Sequence, residues 1–413
     1  MKKYKIINDP IYGFIQIPNE LLFALIEHRY YQRLRRIKQL GMTYLVYPGA
    51  IHTRFHHALG AMHLANEAIE VLRLKGHQIA DDEATGVLIA VLLHDVGHGP
   101  FSHALESSIV SGIHHEDISA LIMKKLNEEF EGKLTTAIEI FNNRYPKKFL
   151  HQIVSGQLDM DRLDYLSRDS FFTGVSEGVI SYDRIIKMLD VVDDTLVVEA
   201  KGIYSIEKFI IARRLMYWQV YLHKTVLAAE SVLVNILTRA KELVLQGQPV
   251  FASTALNTFL SRDINRHDFL TNPEYLEQFV RLDDYDIYGA IKEWAIHPDP
   301  ILSSLAKSFV DRRLFKIEIQ NNAFNKAYVD EIKAKTKELY NLKNSEINYF
   351  VISSSITNNA YSAESEQINI LYKNGDVKDI ATASDQYNIA ALSKTVQKYF
   401  LIYPKQIAKQ VDF

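Results

Sequence analysis

The chain has 413 residues, 47% of them hydrophobic and 23% charged, with 47 basic against 50 acidic side chains and a formal net charge of −3. That composition suits a buried core in one large body or in two to three domains, and the near-balance of charge supplies no bulk attraction to nucleic acid or an anionic membrane. There is no cysteine, which excludes disulfides, thiolate metal sites and cysteine nucleophiles, whereas 15 histidines offer the commonest metal ligand.

Met1 to Pro10 is charged and lacks the apolar stretch of a secretory leader, and no run approaches the roughly 18 apolar residues of a membrane span, so a cytoplasmic location is expected. Residues 1–20 read as short extended pieces with turns at Asp9-Pro10 and Tyr12-Gly13. A helical pattern with a dense basic face runs from Asn19 to Gly41, and a second helix from Arg54 to Lys75, closed by Gly76. Asp81 and Asp82 are N-cap candidates for the segment Glu83 to His94, which is apolar nearly all round. A helix without a polar face belongs at the centre of a bundle, yet this one ends abruptly on His94-Asp95.

Further helices are predicted at about 115–129, 134–142, 147–155, 159–170, 182–190 and 205–245, with shorter ones at 255–262, 273–283 and 285–295. Thr195 to Ala200 reads as a small strand after a turn at Asp193-Asp194. Beyond Arg312 alternating stretches at 314–319, 349–354 and 368–372 suggest strands, with helices at about 325–342 and 387–399. The expected fold class is mainly α: a helical catalytic body over 1–310, with its motifs at 50–170 and a pocket helix at about 205–245, followed by a smaller C-terminal α+β region over 311–413. That region suits an oligomerisation element, a lid or a regulatory surface equally well.

A His-Asp pair is expected by chance about once in such a chain, so His94-Asp95 gains meaning only from its surroundings. His57 lies on one helix, His94-Asp95 end a second and Asp161 lies on a third. Imidazole and carboxylate groups from separate helices are the usual means by which a bundle core holds a hydrolytic metal.

The strings Arg54-Phe-His-His57, His94-Asp-Val-Gly-His98-Gly-Pro-Phe-Ser-His103, His115-Glu116 and Leu158-Asp-Met-Asp161-Arg-Leu-Asp-Tyr165-Leu-Ser-Arg-Asp169 resemble the HD-domain phosphohydrolases. The resemblance is greatest to their deoxynucleoside-triphosphate triphosphohydrolase branch, which includes the mammalian SAM-and-HD-domain protein. It covers residues 4 to 245, including Asn8-Asp-Pro-Ile and Arg33 to Gly41. It implies an HD-domain helical bundle and one divalent ion held by His57, His94, Asp95 and Asp161, with Fe, Mn, Zn, Ni and Mg all compatible with the ligands. It further implies attack at the α-phosphorus, releasing a deoxynucleoside and inorganic triphosphate.

Within that resemblance His98, His103, Glu106 and His115 fall at the acid–base positions. Glu106, three residues after His103, replaces an aspartate of the mammalian protein, and His98 and His115 would contact the α-phosphate and help balance its charge. Arg54, Arg162, Arg213 and Tyr165 match phosphate-contacting positions, where the guanidinium fork suits phosphate oxygens. Asp161, Tyr165 and Asp169 form one helical stripe, and Arg213, Tyr217 and Tyr221 another. Gln39 and Asp169 would bond the sugar 3′-hydroxyl while Leu40 and Tyr221 crowd the 2′ position. Leu222 replaces a glutamine, which leaves the base preference open.

Lys5, Asn8, Gln32 and Arg35 match positions of an activator-nucleotide site between subunits, and Glu27 stands where the mammalian protein has aspartate. Ordinary solvated charges account for Lys5 and Arg35 equally well. A nucleotide substrate, an activating nucleotide and a homo-oligomer (dimer or tetramer) are the partners the resemblance permits, with no membrane and no nucleic acid expected. Two other functions fit the residues: a nucleotidase or phosphodiesterase acting on mono- or cyclic nucleotides, and a nucleotide-binding regulator without turnover.

Overall fold

A computed structural model describes residues 5–110, 112–358, 361, 367–385 and 395–409, without the side chain of His103. Lys5–Asp9 and Gly13–Ile17 pair as an antiparallel hairpin whose turn is tied by Asp9 Oδ1, the acceptor for the Ile11 and Tyr12 amides at 2.9 and 3.1 Å. The helix expected over 19–41 is divided into Glu20–Glu27, Arg29–Gln32 and a 3₁₀ turn at Arg33–Arg36. His28 is extended at the break and its ring accepts from the Tyr30 amide. The break redirects the chain so that Tyr30, Tyr31, Arg33 and Leu34 all face inward.

Asp81–Leu93 is the central helix, buried on every side from Val87 onward, as its apolar surface requires. It packs against Arg54–Leu74 and Thr135–Phe141, and Arg54–Leu74 packs in turn against Met160–Thr173. Asp159 caps that last helix by accepting from the Arg162 amide, and Gly174 ends it in the left-handed conformation at φ 73°. His115–Glu129 and Lys148–Val154 complete the bundle around the central helix, close to their expected limits.

The long helix expected over 205–245 is two helices, Ile203–Met216 and Lys224–Leu245, joined by a π turn at Tyr217–Tyr221 and bent by 56°. A single π turn shifts the apolar spacing by only about one residue, too little for periodicity alone to reveal. Among the described residues no single helix is long and apolar enough to cross a membrane. Ser102–Glu106 is a short helix, and Arg266–Thr271 and Pro300–Val310 are helices that sequence reasoning missed; Asn265 and Asp299 cap the last two.

Leu189 pairs with Val198 across left-handed residues Asp193 and Asp194, so the helix expected to reach 190 stops at Lys187. Thr195–Glu199 also pairs, in parallel, with Asn369–Leu371, which is followed across its other edge by Val377–Asp379. Part of the region after 310 therefore completes a sheet begun in the helical body, and Ile370 and Ile380 join the main buried core. A second antiparallel sheet places Val396–Tyr403 between Lys316–Gln320 and Ile352–Asn358. The helix expected over 387–399 is thus corrected at 396–399, the opening residues of a strand that is aromatic and apolar from Tyr399 to Tyr403; residues 387–394 lie outside the described residues.

Candidate active site

Three helices converge where the central one ends. His57 stands in the first turn of Arg54–Leu74, Asp161 in the first turn of Met160–Thr173, and His94-Asp95 directly follow Leu93. The Nε2 atoms of His57 and His94 lie 3.1 and 3.5 Å from Asp161 Oδ1, and neither Nε2 completes a hydrogen bond although both are buried. Two orphaned imidazole nitrogens facing one carboxylate oxygen make a donor set that fits a divalent cation. Asp95 stands beside this trio. Its Oδ1 is 3.3 Å from Nε2 of both His94 and His98, and its Oδ2 accepts from Arg54 Nη1 at 2.5 Å.

Each imidazole is aimed by its other nitrogen. His94 Nδ1 lies 2.6 Å from the Val91 carbonyl, and His57 Nδ1 lies 2.7 Å from Asp164 Oδ2. Arg168 donates to both Asp164 oxygens at 2.9 Å and to Asp9 Oδ2 at 2.7 Å, linking the histidine to the N-terminal hairpin through fully buried charges. A Cβ on Gly60 would lie 2.0 Å from Asp164 Oδ1, so only glycine lets the two helices approach closely enough for this network.

Burial depresses the His57 imidazole, but Asp161 and Asp164 outweigh it and raise the pKa to about 10; Asp95 and Asp161 likewise bring His94 to about 9. Below those values the metal-free site holds protons where a cation would bind, so binding must release them. Divalent-metal affinity is expected to rise with pH between 6 and 8 by up to roughly 100-fold per unit, the limit for two displaced protons, and to level off above the higher pKa. Calorimetric titration in buffers of differing ionisation enthalpy measures this; a pH-independent affinity would contradict the arrangement.

A second group of side chains continues from Asp95. His98 stacks on His115 with ring centroids 3.7 Å apart, and its Nδ1 lies 2.7 Å from Ser102 Oγ. Ser102 donates to Glu106 Oε1 at 2.9 Å, and that oxygen is 3.3 Å from His115 Nδ1. Glu106 therefore engages Ser102 and His115, while its expected pairing with His103 lies outside the described residues. Burial, followed by the Arg54 charge, lowers His98 to about 3.

The loop carrying Asp95 and His98 is held from beneath. Arg33, fully buried, donates to the carbonyls of Val96 and His98 at 2.9 and 2.8 Å. Gly97 lies so close to the start of His115–Glu129 that a Cβ would be 2.2 Å from the His115 carbonyl and 2.4 Å from the Ser119 amide. Gly97→Ala must displace backbone. It is expected to cost about 1–3 kcal/mol in a denaturant titration and to lower turnover, because His98 and His115 move with that backbone.

Beside the ion site is a cavity of about 280 Å³ lined by Gln39, Leu40, Arg54, Tyr221, Leu222 and Glu230, among others. Arg54 joins the two by lining the cavity and binding Asp95. Among the described residues, Gln39 Oε1 is buried without a partner. Asp169 accepts from Tyr221 at 2.8 Å and lies 2.7 Å from His52 Nε2, and the rings of Tyr165 and Tyr217 pack edge-on against Tyr221, so the two predicted stripes do face each other. Among the described residues the Arg213 Nε is buried and unpaired, whereas Arg162 is engaged by Asp159 and the Gly156 carbonyl.

Of the activator positions, Arg35 donates to Gln32 at 2.9 Å and stacks on Phe55, Lys5 lies over Phe23, Asn8 is exposed on the hairpin, and Glu27 ends its helix. Sequence reasoning missed Asp9, Arg33, His52, Ser102, Asp164 and Arg168. Asp164 and Arg168 carried a signal, being an acid and a base four residues apart within the quoted motif.

Residues 54–169 match the HD domain model and 180–259 match that of the HD associated region. A crystal structure of a phosphohydrolase from Bacteroides thetaiotaomicron is 55% identical, with a TM-score of 0.94 over 97% of this chain and 100% of that one. The uncharacterized protein YwfO of Bacillus subtilis is 32% identical over 98% of this chain and 94% of its own. A deoxynucleoside triphosphate triphosphohydrolase SAMHD1 homolog of Dictyostelium discoideum is 34% identical over 55% of this chain and 51% of its own, so the present chain spans about half of that relative. With the motif histidines and aspartates gathered at one bundle end inside the matched region, the chain belongs to the HD-domain phosphohydrolase family.

Proposed function

We propose that the protein hydrolyses deoxynucleoside triphosphates to deoxynucleoside and inorganic triphosphate, using one divalent ion held by His57, His94, Asp95 and Asp161. The observation that carries this reading is the adjacency of the ion site and a nucleoside-sized cavity, bridged by Arg54. The similarity to a triphosphohydrolase adds support. When bound, the ion supplies Lewis-acid polarisation of a phosphate oxygen.

The chain's own groups do the rest. Arg54 and Arg213, with Tyr165 and Arg162, hold phosphate oxygens, and His98 and His115 contact the α-phosphate. His115 with Glu106, together with His103, manages the proton that the departing 5′-oxygen requires. The free Gln39 oxygen accepts from the 3′-hydroxyl beside Asp169, and Leu40 and Tyr221 leave little room for a 2′-hydroxyl. A homo-oligomer activated by nucleotide at Lys5, Asn8, Glu27, Gln32 and Arg35 is part of the same proposal.

The commitment of Arg162 to Asp159 and Gly156 favours a second reading, a nucleotidase or phosphodiesterase, since it leaves fewer free cations for a long polyphosphate. Incubation with manganese and each deoxy- and ribonucleoside triphosphate decides between them. The expected products are triphosphate and nucleoside, formed from deoxynucleotides at least roughly tenfold faster than from ribonucleotides. Single phosphates with no triphosphate would favour the second reading.

A further inference from the structure

The geometry points to His52 as a positioning residue that sets the deoxyribose selectivity of the cavity without touching the nucleotide. This rests on reading the cavity as the nucleoside pocket, with Leu40 and Tyr221 on either side of the sugar 2′ position. The His52 ring is fully buried behind the wall that Gln39, Leu40 and Tyr221 form, and it stacks on Phe172 with centroids 4.5 Å apart. From there it holds both sides. Its carbonyl accepts from the Gln39 amide at 3.0 Å, and the Arg54 amide donates to the Ile37 carbonyl at 3.0 Å, so a backbone pairing fixes the segment that carries Gln39 and Leu40. Its Nε2 lies 2.7 Å from Asp169 Oδ1, and Asp169 Oδ2 accepts from the Tyr221 hydroxyl at 2.8 Å.

Asp169 accepts at both oxygens, so His52 Nε2 carries the proton and donates it; His52 Nδ1 is buried and without a partner among the described residues. Gly49 keeps the arrangement closed. A Cβ there would lie 2.4 Å from the Phe172 carbonyl, so the loop that brings in His52 is pressed against the helix that carries Asp169. Without the Nε2 donor, a buried Asp169 oxygen loses its partner, and the carboxylate turns to find another. Tyr221 is then no longer aimed, and the gap between it and Leu40 admits a 2′-hydroxyl. Substituting the His52 side chain leaves the backbone bond to Gln39 in place, so the effect isolates the arm that runs through Asp169.

The test is equilibrium binding of deoxy- and ribonucleoside triphosphates to the full chain in EDTA, which halts metal-dependent turnover, for wild type, His52→Leu, His52→Gln, Tyr221→Phe and the His52→Leu/Tyr221→Phe double variant. Wild type is expected to favour the deoxynucleotides roughly tenfold or more. His52→Leu, which cannot donate, should bring that ratio to within about threefold of unity, and His52→Gln, whose amide can reach Asp169, should keep it within about twofold of wild type. Tyr221→Phe should lose the same margin, and the double variant should lose no more, because both changes act through one chain of hydrogen bonds. His52→Asn, too short to reach Asp169, replaces His52→Leu if that variant does not fold. An unchanged ratio in His52→Leu, an equal loss in His52→Gln, additive losses in the double variant, or a wild type that binds both classes equally or neither would overturn the inference. Deoxy-selective binding that follows the expected pattern without triphosphate release under manganese would leave it standing and remove the proposed activity. Triphosphate release with a selectivity indifferent to His52 would do the reverse.

Discussion

His57→Ala and Asp161→Asn are each expected to lower phosphoester hydrolysis by roughly 10³-fold or more, with loss of the bound divalent ion measured on the same samples. The estimate follows from removing several kcal/mol of charge stabilisation, at about 1.4 kcal/mol per factor of ten. Asp161→Asn is the sharper test because it preserves size. Its carboxylate is the only acid in the trio formed with His57 and His94, and an amide there would present the two imidazoles with a neutral, weaker ligand. Turnover and metal content within about tenfold of wild type would show that the ion, or the reaction, is elsewhere.

Asp164→Ala is expected to have the largest effect on stability, about 3–5 kcal/mol in a denaturant titration. It removes the carboxylate that takes two hydrogen bonds from the buried Arg168 and leaves that guanidinium with Asp9 alone. The same substitution frees the His57 ring, so metal affinity should fall by about 10–100-fold. Asp164→Asn retains one acceptor and should lie between the two. A stability change under about 1 kcal/mol would mean that Arg168 finds another partner and that the network does not hold His57.

The four proposed ligands were legible because each belongs to a short motif, and the bundle helices expected at 54–75, 83–94 and 115–129 form within two residues of those limits. What escaped depends on partners distant in sequence. Arg33 reads as part of a solvated basic face until the chain breaks at His28 and turns it inward under Val96 and His98. Arg168 and Asp9 are 159 residues apart, and no local pattern joins them. Glu106 was paired with His103 through the family resemblance, with helical spacing in support, whereas its contacts with Ser102 and His115 arise through space and had no local signal. At the C-terminal end, Tyr399 to Tyr403 has no polar residue to fix a period, so sheet pairing with Lys316–Gln320 and Ile352–Asn358 decides its conformation.

Anomalous scattering from crystals of the full chain grown with manganese tests the central claim most directly. One peak within bonding distance of His57 Nε2, His94 Nε2 and Asp161 Oδ1 is predicted, with Asp95 turned to join them. Density centred elsewhere in a manganese-bound crystal, or on His98 and His115 with His57 left out, would contradict it.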